Sequence, residues 1–132
     1  MEQVKVNPWQ WQNKMGFSQG VEVAQPKNIL YCAGQASMDA DGNAVHDGDM
    51  RAQIMQAMDN LERVLSEVDY SLSDVVRLNY YTTDVDEFFA AYADTAAARL
   101  AWAGCQPAST LLGVTRLAFP QLLIEIEATA VK

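Results

Sequence analysis

The stretch LLIEIEATAVK, residues 122–132, contains the pattern that decides the fold. From residue 124 onward apolar and polar side chains alternate, and this period of two is typical of a β-strand with one buried face. Glu125 and Glu127 therefore share the opposite face of the strand. An ionised carboxylate is costly to bury without a partner. This face is thus either exposed to water or part of a site that uses one of the two charges.

Three further elements are predicted ahead of this strand. Residues 21–24 and 29–35 are strand-like runs joined by the sequence QPKN, which predicts a hairpin. Apolar residues at three- and four-residue steps over residues 50–68 predict an amphipathic helix. Asp47 or Asp49 is the expected N-cap of that helix, because a short carboxylate side chain can accept hydrogen bonds from the first free N–H groups.

The second half of the chain adds one helix and three strands. Asp84 and Glu87 form a capping-box-like start, and Gly104 suits the left-handed end of a helix between them. The strands are predicted at residues 75–83, 108–117 and 122–131. Two helices cover only one face of such a sheet. The other face is expected to keep much apolar and small side-chain surface, which predicts sheet packing between subunits of a closed homo-oligomer.

Length and charge limit the classes of protein. The 132 residues suit a single domain spanning residues 1–132, with residues 1–16 as an N-terminal segment packed on it. A net charge of −8 argues against nucleic-acid partners and anionic membranes, because both need clustered basic residues. No apolar run approaches the roughly 18–20 residues of a membrane span.

Targeting and cysteine signals favour the cytoplasm. The N-terminus has an early acidic residue and no apolar core of a secretory signal. Cys32 and Cys105 are far apart in the sequence and belong to no CxxC or Cys/His grouping. They are therefore interpreted as small buried hydrophobic residues in a reducing compartment, and neither a disulfide nor a metal site is predicted.

Isolated chemical groups give few leads. The familiar phosphate-loop, nucleophile-elbow and zinc-protease motifs are absent from the sequence. His46, the only histidine, is expected in an exposed loop, and Cys105 is expected to be structural although a reactive thiol is the alternative. Residues 39–43, DADGN, predict a turn and lack the ligand spacing of a calcium loop. Trp9 and Trp11 either pin the N-terminal segment by burial or wall a small-molecule pocket.

Five segments together resemble the Rid/YjgF family of reactive-intermediate deaminases. They are ILYCAGQASMDADGN, DMRAQIMQAMDNLERVLSEV, SLSDVVRLNYYTTDVDEF, QPASTLLGVTRL and LIEIEATAV. The resemblance runs from about Phe17 to the C-terminus. Its most specific elements are the GQ after the second strand, the NL of the first helix, the PA before the fifth strand and the terminal EIEA.

The resemblance implies a fold and an activity. The implied subunit is a chorismate-mutase-like α+β domain, a mixed β-sheet with two helices on one face. Three subunits are implied to form a homotrimer with a central barrel of sheets and ligand clefts between neighbours. The deaminating members hydrolyse enamines or imines to keto acids and ammonia, without a metal or an organic cofactor.

Two of the implied site residues are retained. Glu125 matches the acid that polarises a water or handles protons, so it is the candidate catalytic residue. Gly34 matches a point where the backbone approaches the ligand. The opening question then receives an expected answer: Glu125 points into an intersubunit cleft, whereas Glu127 lies towards its solvated edge.

Four implied substrate-binding positions depart from the family pattern. Phe17 stands in place of a tyrosine, and Tyr92 falls near a usual asparagine. Leu111 replaces a common cysteine. Ser109 replaces the arginine that usually binds the substrate carboxylate. Arg116 is the nearest substitute cation, but its seven-residue offset from Ser109 places it on the opposite face of a regular strand.

The loss of the arginine predicts altered specificity. Serine cannot copy a bidentate guanidinium–carboxylate pair. Charge-assisted hydrogen bonds contribute roughly 1.5–3 kcal/mol each, so carboxylate binding is expected to weaken by about tenfold to several hundredfold. The cleft is expected to prefer neutral or amine-bearing ligands with aromatic or alkyl groups. A non-catalytic trimer that binds a small molecule or a protein through the same clefts is the alternative, and another chemistry in the same cleft is a third.

Overall fold

A computed structural model describes residues 2–132, so residue 1 of the predicted N-terminal segment lies outside the described residues. The regular elements, in chain order, are β1 (Glu2–Val6), β2 (Gly20–Ala24), β3 (Ile29–Ala36), α1 (Met50–Ser66), β4 (Val75–Thr82), α2 (Val85–Tyr92), α3 (Ala96–Trp102), β5 (Ala108–Gly113) and β6 (Ile124–Val131). Short 3-10 helices occupy Trp11–Met15 and Leu72–Asp74. The chain is α+β with a mixed sheet, as predicted.

The quoted C-terminal stretch forms an interior strand of the main sheet. The strand order is β3-β6-β4-β5; β6 is antiparallel to both of its neighbours, and β4 and β5 are parallel. Along β6 the isoleucines Ile124 and Ile126 are fully buried, whereas Glu125 and Glu127 alternate with them on the other face. The predicted strand and its alternation are therefore confirmed.

The predicted hairpin between the first two strand-like runs is wrong. β2 pairs with β1 in a separate two-stranded sheet, in which Val6 lies opposite Gly20, while β3 pairs with β6. The QPKN connection does not close a ladder, because the N–H groups of Lys27 and Asn28 donate to the carbonyl of Lys132 (2.6 and 3.1 Å). β1 was not predicted, since all of its residues are exposed and give no buried alternation.

Helix α1 confirms the predicted amphipathic helix. The side chain of Asp49 is the N-cap and accepts a hydrogen bond from the backbone N–H of Ala52 (3.0 Å). The apolar stripe packs on β3 and β6. Ile54, Met58 and Leu61 of this stripe are fully buried.

The second predicted helix is two helices, α2 and α3. Its start is confirmed, because the Asp84 carboxylate accepts from the N–H of Glu87 (3.0 Å). Its end is confirmed as well, because Gly104 has a φ of +68°. Between them Thr95 is non-helical, and its buried hydroxyl donates to the Ala91 carbonyl (2.5 Å). A hydroxyl that takes up a helical carbonyl competes with the backbone ladder, which explains the break.

The helices cover one face of the sheet and leave the other uncovered. The core between α1–α3 and the sheet includes Leu78 and Leu100, both almost fully buried. The uncovered face was expected to be rich in apolar and small side chains. That expectation holds only in part: the alternation of β4 and β6 directs most of their apolar residues to the helices, whereas β5 leaves Leu112 exposed on the uncovered face. The side chains left on the uncovered face include Tyr31, Asn79, Tyr81, Glu125, Glu127 and Thr129.

No helix within residues 2–132 is long and apolar enough to cross a membrane.

Candidate functional site

A cavity of about 260 Å³ lies between α2, the N-terminal segment and β5. Most of its wall is aromatic. The lining residues are Trp11, Met15, Phe17, Tyr80, Phe88, Phe89, Tyr92, Ser109 and Leu111. Every one of these side chains is uncharged. We call this cavity the aromatic pocket; it brings together four predicted binding residues, Phe17, Tyr92, Ser109 and Leu111.

Helix α2 and strand β4 build the inner wall of the aromatic pocket. Phe88 and Tyr92 are four residues apart and therefore project from the same side of the helix. Their ring centroids lie 5.2 Å apart. Tyr80 of β4 packs against both rings, with centroid distances of 5.2 Å to Phe88 and 5.7 Å to Tyr92. The inner wall is thus a cluster of three rings that also belongs to the core.

The N-terminal segment builds the outer wall. The Tyr92 hydroxyl donates to the Met15 carbonyl (2.7 Å), which ties the segment to α2. Trp11 packs edge-on against Phe17 with centroids 5.9 Å apart. Trp11 is 55% exposed and lines the pocket, so the pocket-wall interpretation holds for it. Trp9 is 57% exposed and does not line the pocket. The expectation that both tryptophans pin the segment by burial is therefore wrong.

Strand β5 supplies the polar position of the aromatic pocket. Ser109 and Leu111 pair with Leu78 and Tyr80 of β4, which face the helices. The Ser109 hydroxyl donates to the Leu78 carbonyl (2.5 Å) and is thereby engaged by the backbone. Arg116 lies exposed in the loop after β5 and does not line the pocket. Within one protomer it does not replace the arginine that the family places at Ser109.

Tyr80 was not predicted as a site residue, and it has an unusual hydroxyl. The side chain is 3% exposed, and its hydroxyl lies near the Tyr92 hydroxyl without forming a hydrogen bond of normal geometry among residues 2–132. Leaving a buried polar group unpaired costs roughly 1–3 kcal/mol. Burial, reinforced by the nearby Tyr92, raises the pKa of Tyr80 well above its ordinary value, so the group is a neutral phenol. The period of two in β4 indicates only that Tyr80 shares a face with Leu78, and the pairing with β5 is what places it beside Leu111.

The two remaining predicted residues meet on the uncovered face. The Glu125 carboxylate lies directly over Gly34: a β-carbon placed on Gly34 would lie 2.6 Å from Glu125 Oε1. The missing side chain of Gly34 therefore makes room for the carboxylate. We call the uncovered side of the sheet around Gly34, Asn79, Tyr81, Glu125 and Glu127 the glutamate face.

The two glutamates of this face are held differently. Glu127 accepts hydrogen bonds from the Tyr81 hydroxyl and from Asn79 Nδ2 (3.2 Å). The hydrogen bond from Tyr81, followed by that from Asn79, lowers the pKa of Glu127. Glu125 accepts no side-chain hydrogen bond in the part of the chain that the structure describes. Glu127 is thus fixed by its neighbours, whereas the carboxylate of Glu125 remains available to a ligand.

The aromatic pocket and the glutamate face do not meet within one protomer. Leu78 pairs with Ser109 and faces the helices, whereas the next residue, Asn79, pairs with Glu127 and faces away from them. Glu125 and Ser109 therefore lie on opposite faces of the sheet. A single subunit does not bring both groups to one ligand.

The other candidate groups are structural. Cys105 is buried, and burial raises the pKa of its thiol to about 11, which confirms the structural interpretation over a reactive thiol. His46 is exposed in a turn with a φ of +63°. Residues 39–43 form the predicted turn, in which the Asp39 carboxylate accepts from the N–H groups of Asp41 and Asn43 (3.0 and 2.9 Å). Among residues 2–132 no cluster of three His, Cys, Asp or Glu side chains could hold a metal ion.

Comparison with known proteins identifies a family and a solved structure with a similar fold. The family model described as Endoribonuclease L-PSP matches residues 11–132. A RutC family protein of Pyrococcus horikoshii is 32% identical over 119 residues, which cover 88% of this chain and 86% of the relative. A 2-iminobutanoate/2-iminopropanoate deaminase of Dermatophagoides farinae is 31% identical over 72 residues, 54% of each chain. A crystal structure from Yersinia pestis, a protein of unknown function of the conserved Rid protein family, covers 100% of both chains with a TM-score of 0.86 and 36% identity.

Proposed function

The chain belongs to the Endoribonuclease L-PSP family, also called the YjgF/Rid family, with the family's chorismate-mutase-like α+β fold, and from this membership we propose that it is a homotrimeric hydrolase that deaminates a small enamine or imine. The observation that carries the proposal is the position of Glu125. Its carboxylate accepts no side-chain hydrogen bond in the described chain and occupies the space that the missing side chain of Gly34 leaves on the helix-free face of the sheet. The deaminase named among the relatives supports the reaction class.

The separation of the aromatic pocket from the glutamate face, the two half-sites, supports the trimer. A ligand in the aromatic pocket reaches a glutamate only if the glutamate face of a neighbouring subunit closes over the pocket. Closed cyclic packing repeats one such contact three times and leaves no half-site without a partner. The helix-free sheet face supports the same arrangement, with the three sheets forming a central barrel. Tyr31 and Leu112 on that face are large exposed side chains that subunit contact would cover.

The proposed chemistry needs only a water and one carboxylate. Glu125 accepts a proton from the water as its oxygen bonds to the imine carbon, and the C=N double bond becomes a C–N single bond. The carboxyl then passes the proton to the nitrogen. Glu125 then takes the hydroxyl proton of this carbinolamine and delivers it to the amine. As the O–H electrons form the C=O double bond, the C–N bond breaks, ammonia leaves and a carbonyl product remains. A positioned carboxylate in such a role contributes roughly 10²- to 10⁴-fold in rate.

The preferred substrate is proposed to lack the carboxylate that the 2-imino acid deaminases handle. Ser109 donates to the backbone, and every side chain that lines the pocket is uncharged. Activity on the imine derived from 2-aminoacrylate is therefore expected to be low. Neutral or amine-bearing ligands with an aromatic or alkyl group fit the pocket wall better.

Neither the endoribonuclease in the family's description nor a membrane role is favoured. The net charge of −8 disfavours binding to nucleic acid and to anionic membranes, and the only histidine is an exposed turn residue. The two buried free thiols support the cytoplasm as a reducing location. The alternative function is a non-catalytic trimer that binds a small molecule or a protein in the same clefts.

Ammonia release from a panel of freshly generated imines tests the proposal. The panel pairs imines with and without a carboxylate, and the wild type is compared with Glu125→Gln and Glu127→Gln. We expect turnover of carboxylate-free imines, a loss of about 10²-fold or more for Glu125→Gln, and activity within about tenfold of the wild type for Glu127→Gln. Full activity of Glu125→Gln would contradict the proposed role. Absence of turnover with every imine would favour the binding trimer.

A further inference from the structure

Trp102 is the most exposed large apolar side chain among residues 2–132. It is 94% exposed at the end of α3, whereas tryptophan is highly buried on average in folded proteins. Single exposed apolar residues are common and need no explanation. Trp102 is different, because it borders a groove of about 320 Å³ between α1 and α3. Ala98 and Trp102 are four residues apart and therefore line this groove from the same side of α3.

The groove lies on the side of the molecule that the proposed subunit contact leaves free. Helices α1 and α3 pack on one side of the sheet, and the glutamate face is on the other. None of the residues that line the groove also lines the aromatic pocket. The groove is therefore distinct from the proposed ligand cleft and from the sheet face that would close the trimer.

The charges around the groove are predominantly negative. Arg99 is the only cationic side chain among the described residues that line it. Its guanidinium pairs with Asp59 (2.7 Å) and with Glu62, so one positive charge is shared by two carboxylates. The two segments that form the groove, residues 59–74 and 94–103, together contain six acidic and two basic residues. An incoming cation would therefore meet a negative surface.

These features fit a cationic side chain of a partner protein. The face of an indole ring attracts ammonium and guanidinium groups, and the attraction strengthens as the contact loses water. Leu72, Ala98 and Ala103 supply apolar surface for the carbon stem of such a side chain. Tryptophan is also enriched among the residues that contribute most to protein–protein binding. An acidic segment or a nucleic acid would be repelled.

We propose that the groove between α1 and α3 binds a basic segment of a partner protein, with an arginine or lysine of that segment stacked on Trp102 beside the carboxylates of Asp59 and Glu62. The net charge of −8 would also steer a basic partner towards this protein. The partner site does not depend on the proposed deaminase activity, because it shares no residue with the aromatic pocket or with the glutamate face.

Selection of peptides from a random library tests the site. A phage-displayed library is first depleted on immobilised Trp102→Ala, which removes peptides that bind elsewhere, and is then selected on the wild-type protein. We expect the selected peptides to be enriched in arginine and lysine relative to the starting library. Their affinity should fall about tenfold or more for Trp102→Ala, as for a binding hot spot. Replacing the basic residue of the peptide by glutamine should weaken binding about threefold or more.

Trp9→Ala is the matched control for this selection. Trp9 is also more than half exposed but lies outside the groove, so its removal should leave the affinity of the selected peptides within about twofold of the wild type. Enrichment of acidic or uncharged peptides would overturn the proposal, and so would the absence of any peptide whose binding depends on Trp102.

Light scattering distinguishes a partner protein from a second copy of this chain. Trp102 is almost fully exposed, so Trp102→Ala should fold normally and have the same mass in solution as the wild type. A lower mass for the variant would show that another copy of the chain covers Trp102, and would overturn the assignment of the groove to a basic partner.

Discussion

The aromatic pocket is uncharged and enclosed by α2 and the N-terminal segment, whereas the glutamate face bears two carboxylates and is covered by no helix of the described chain. Both belong to the same sheet, and the alternation of successive strand residues separates them. Leu78 and Asn79 show this most directly, because one faces each side. Under the proposed function, selection of the ligand and proton transfer occupy opposite faces, so the account requires two subunits for a complete site.

The largest expected effect is on stability, and it distinguishes the buried from the exposed residues of the pocket wall. Phe88 is 1% exposed, and Phe89 beside it is 46% exposed. Removing a buried aromatic ring leaves a cavity, so Phe88→Ala should lower the free energy of unfolding by about 3–5 kcal/mol. Phe89→Ala should change it by less than about 1 kcal/mol. Urea unfolding of both variants measures this, and equal losses would show that the pocket wall is not part of the core.

Ionisable residues on the two sides of the sheet should affect stability at opposite ends of the pH scale. Burial raises the pKa of Cys105, on the helix side, from 9.0 to about 11. The neutral thiol then stabilises the fold fully below pH 9, and this contribution is lost as the pH rises from 9 to about 11. Two pKa units correspond to about 2.7 kcal/mol.

Cys105→Ala measures that alkaline loss. Chemical unfolding at intervals between pH 8 and pH 11 should show the wild type losing about 2.3 kcal/mol relative to the variant by pH 11, where half of the native thiol is still protonated. The raised pKa values of Tyr80 and Tyr92 cancel in the difference, apart from the smallest part of the Tyr80 shift, which the charge of Cys105 causes. A constant difference across this range would mean that the thiol is not desolvated.

A charge introduced into the aromatic pocket should reverse its preference. Ser109→Arg places a guanidinium beside Leu111 and Phe17, where a carboxylate can form a bidentate pair. Affinity for benzoate relative to benzamide should rise about tenfold or more, which is about 1.4 kcal/mol. Ser109→Gln controls for size without charge and should leave the ratio unchanged. An unchanged ratio in Ser109→Arg, in a variant that stays folded, would mean that overpacking turns the new side chain out of the pocket.

The smallest expected effect lies on the glutamate face. The hydrogen bond from Tyr81 lowers the pKa of Glu127, so its contribution to stability is present above pH 4.5 and is lost as the pH falls through the lowered pKa. Tyr81→Phe should move the pKa of Glu127 back towards 4.5, as an NMR titration of the side-chain carboxyl would show. Because solvent screens this pair, the change in stability should stay below about 1 kcal/mol. An unmoved pKa would show that Asn79 alone holds the carboxylate.

The sequence predicted the elements with strong periodicity and missed those set by distant contacts. The stripe of α1 and the alternation of β6 are local patterns, and both were predicted correctly. The pairing of β2 with β1 depends on hydrogen bonds between separate segments, and the helix break at Thr95 depends on a side-chain hydrogen bond to Ala91 that the apolar pattern does not show. The family resemblance predicted the residues Phe17, Tyr92, Ser109 and Leu111 in the pocket. It did not reveal Tyr80, because the register between β4 and β5 is a non-local property.

Cross-linking between chains tests most directly whether the two half-sites meet between subunits. Glu125→Cys and Ser109→Cys lie on opposite faces of one protomer, so a short bifunctional thiol reagent has no direct path between them within a chain. Both are combined in one protein, and each single variant serves as the control for the buried native thiols. Our account predicts covalent species of two and three times the 14.6 kDa chain mass from the double variant alone. Two results together would contradict an intersubunit site. The reagent would yield only 14.6 kDa chains from the double variant, and the untreated protein would have the mass of a monomer in solution.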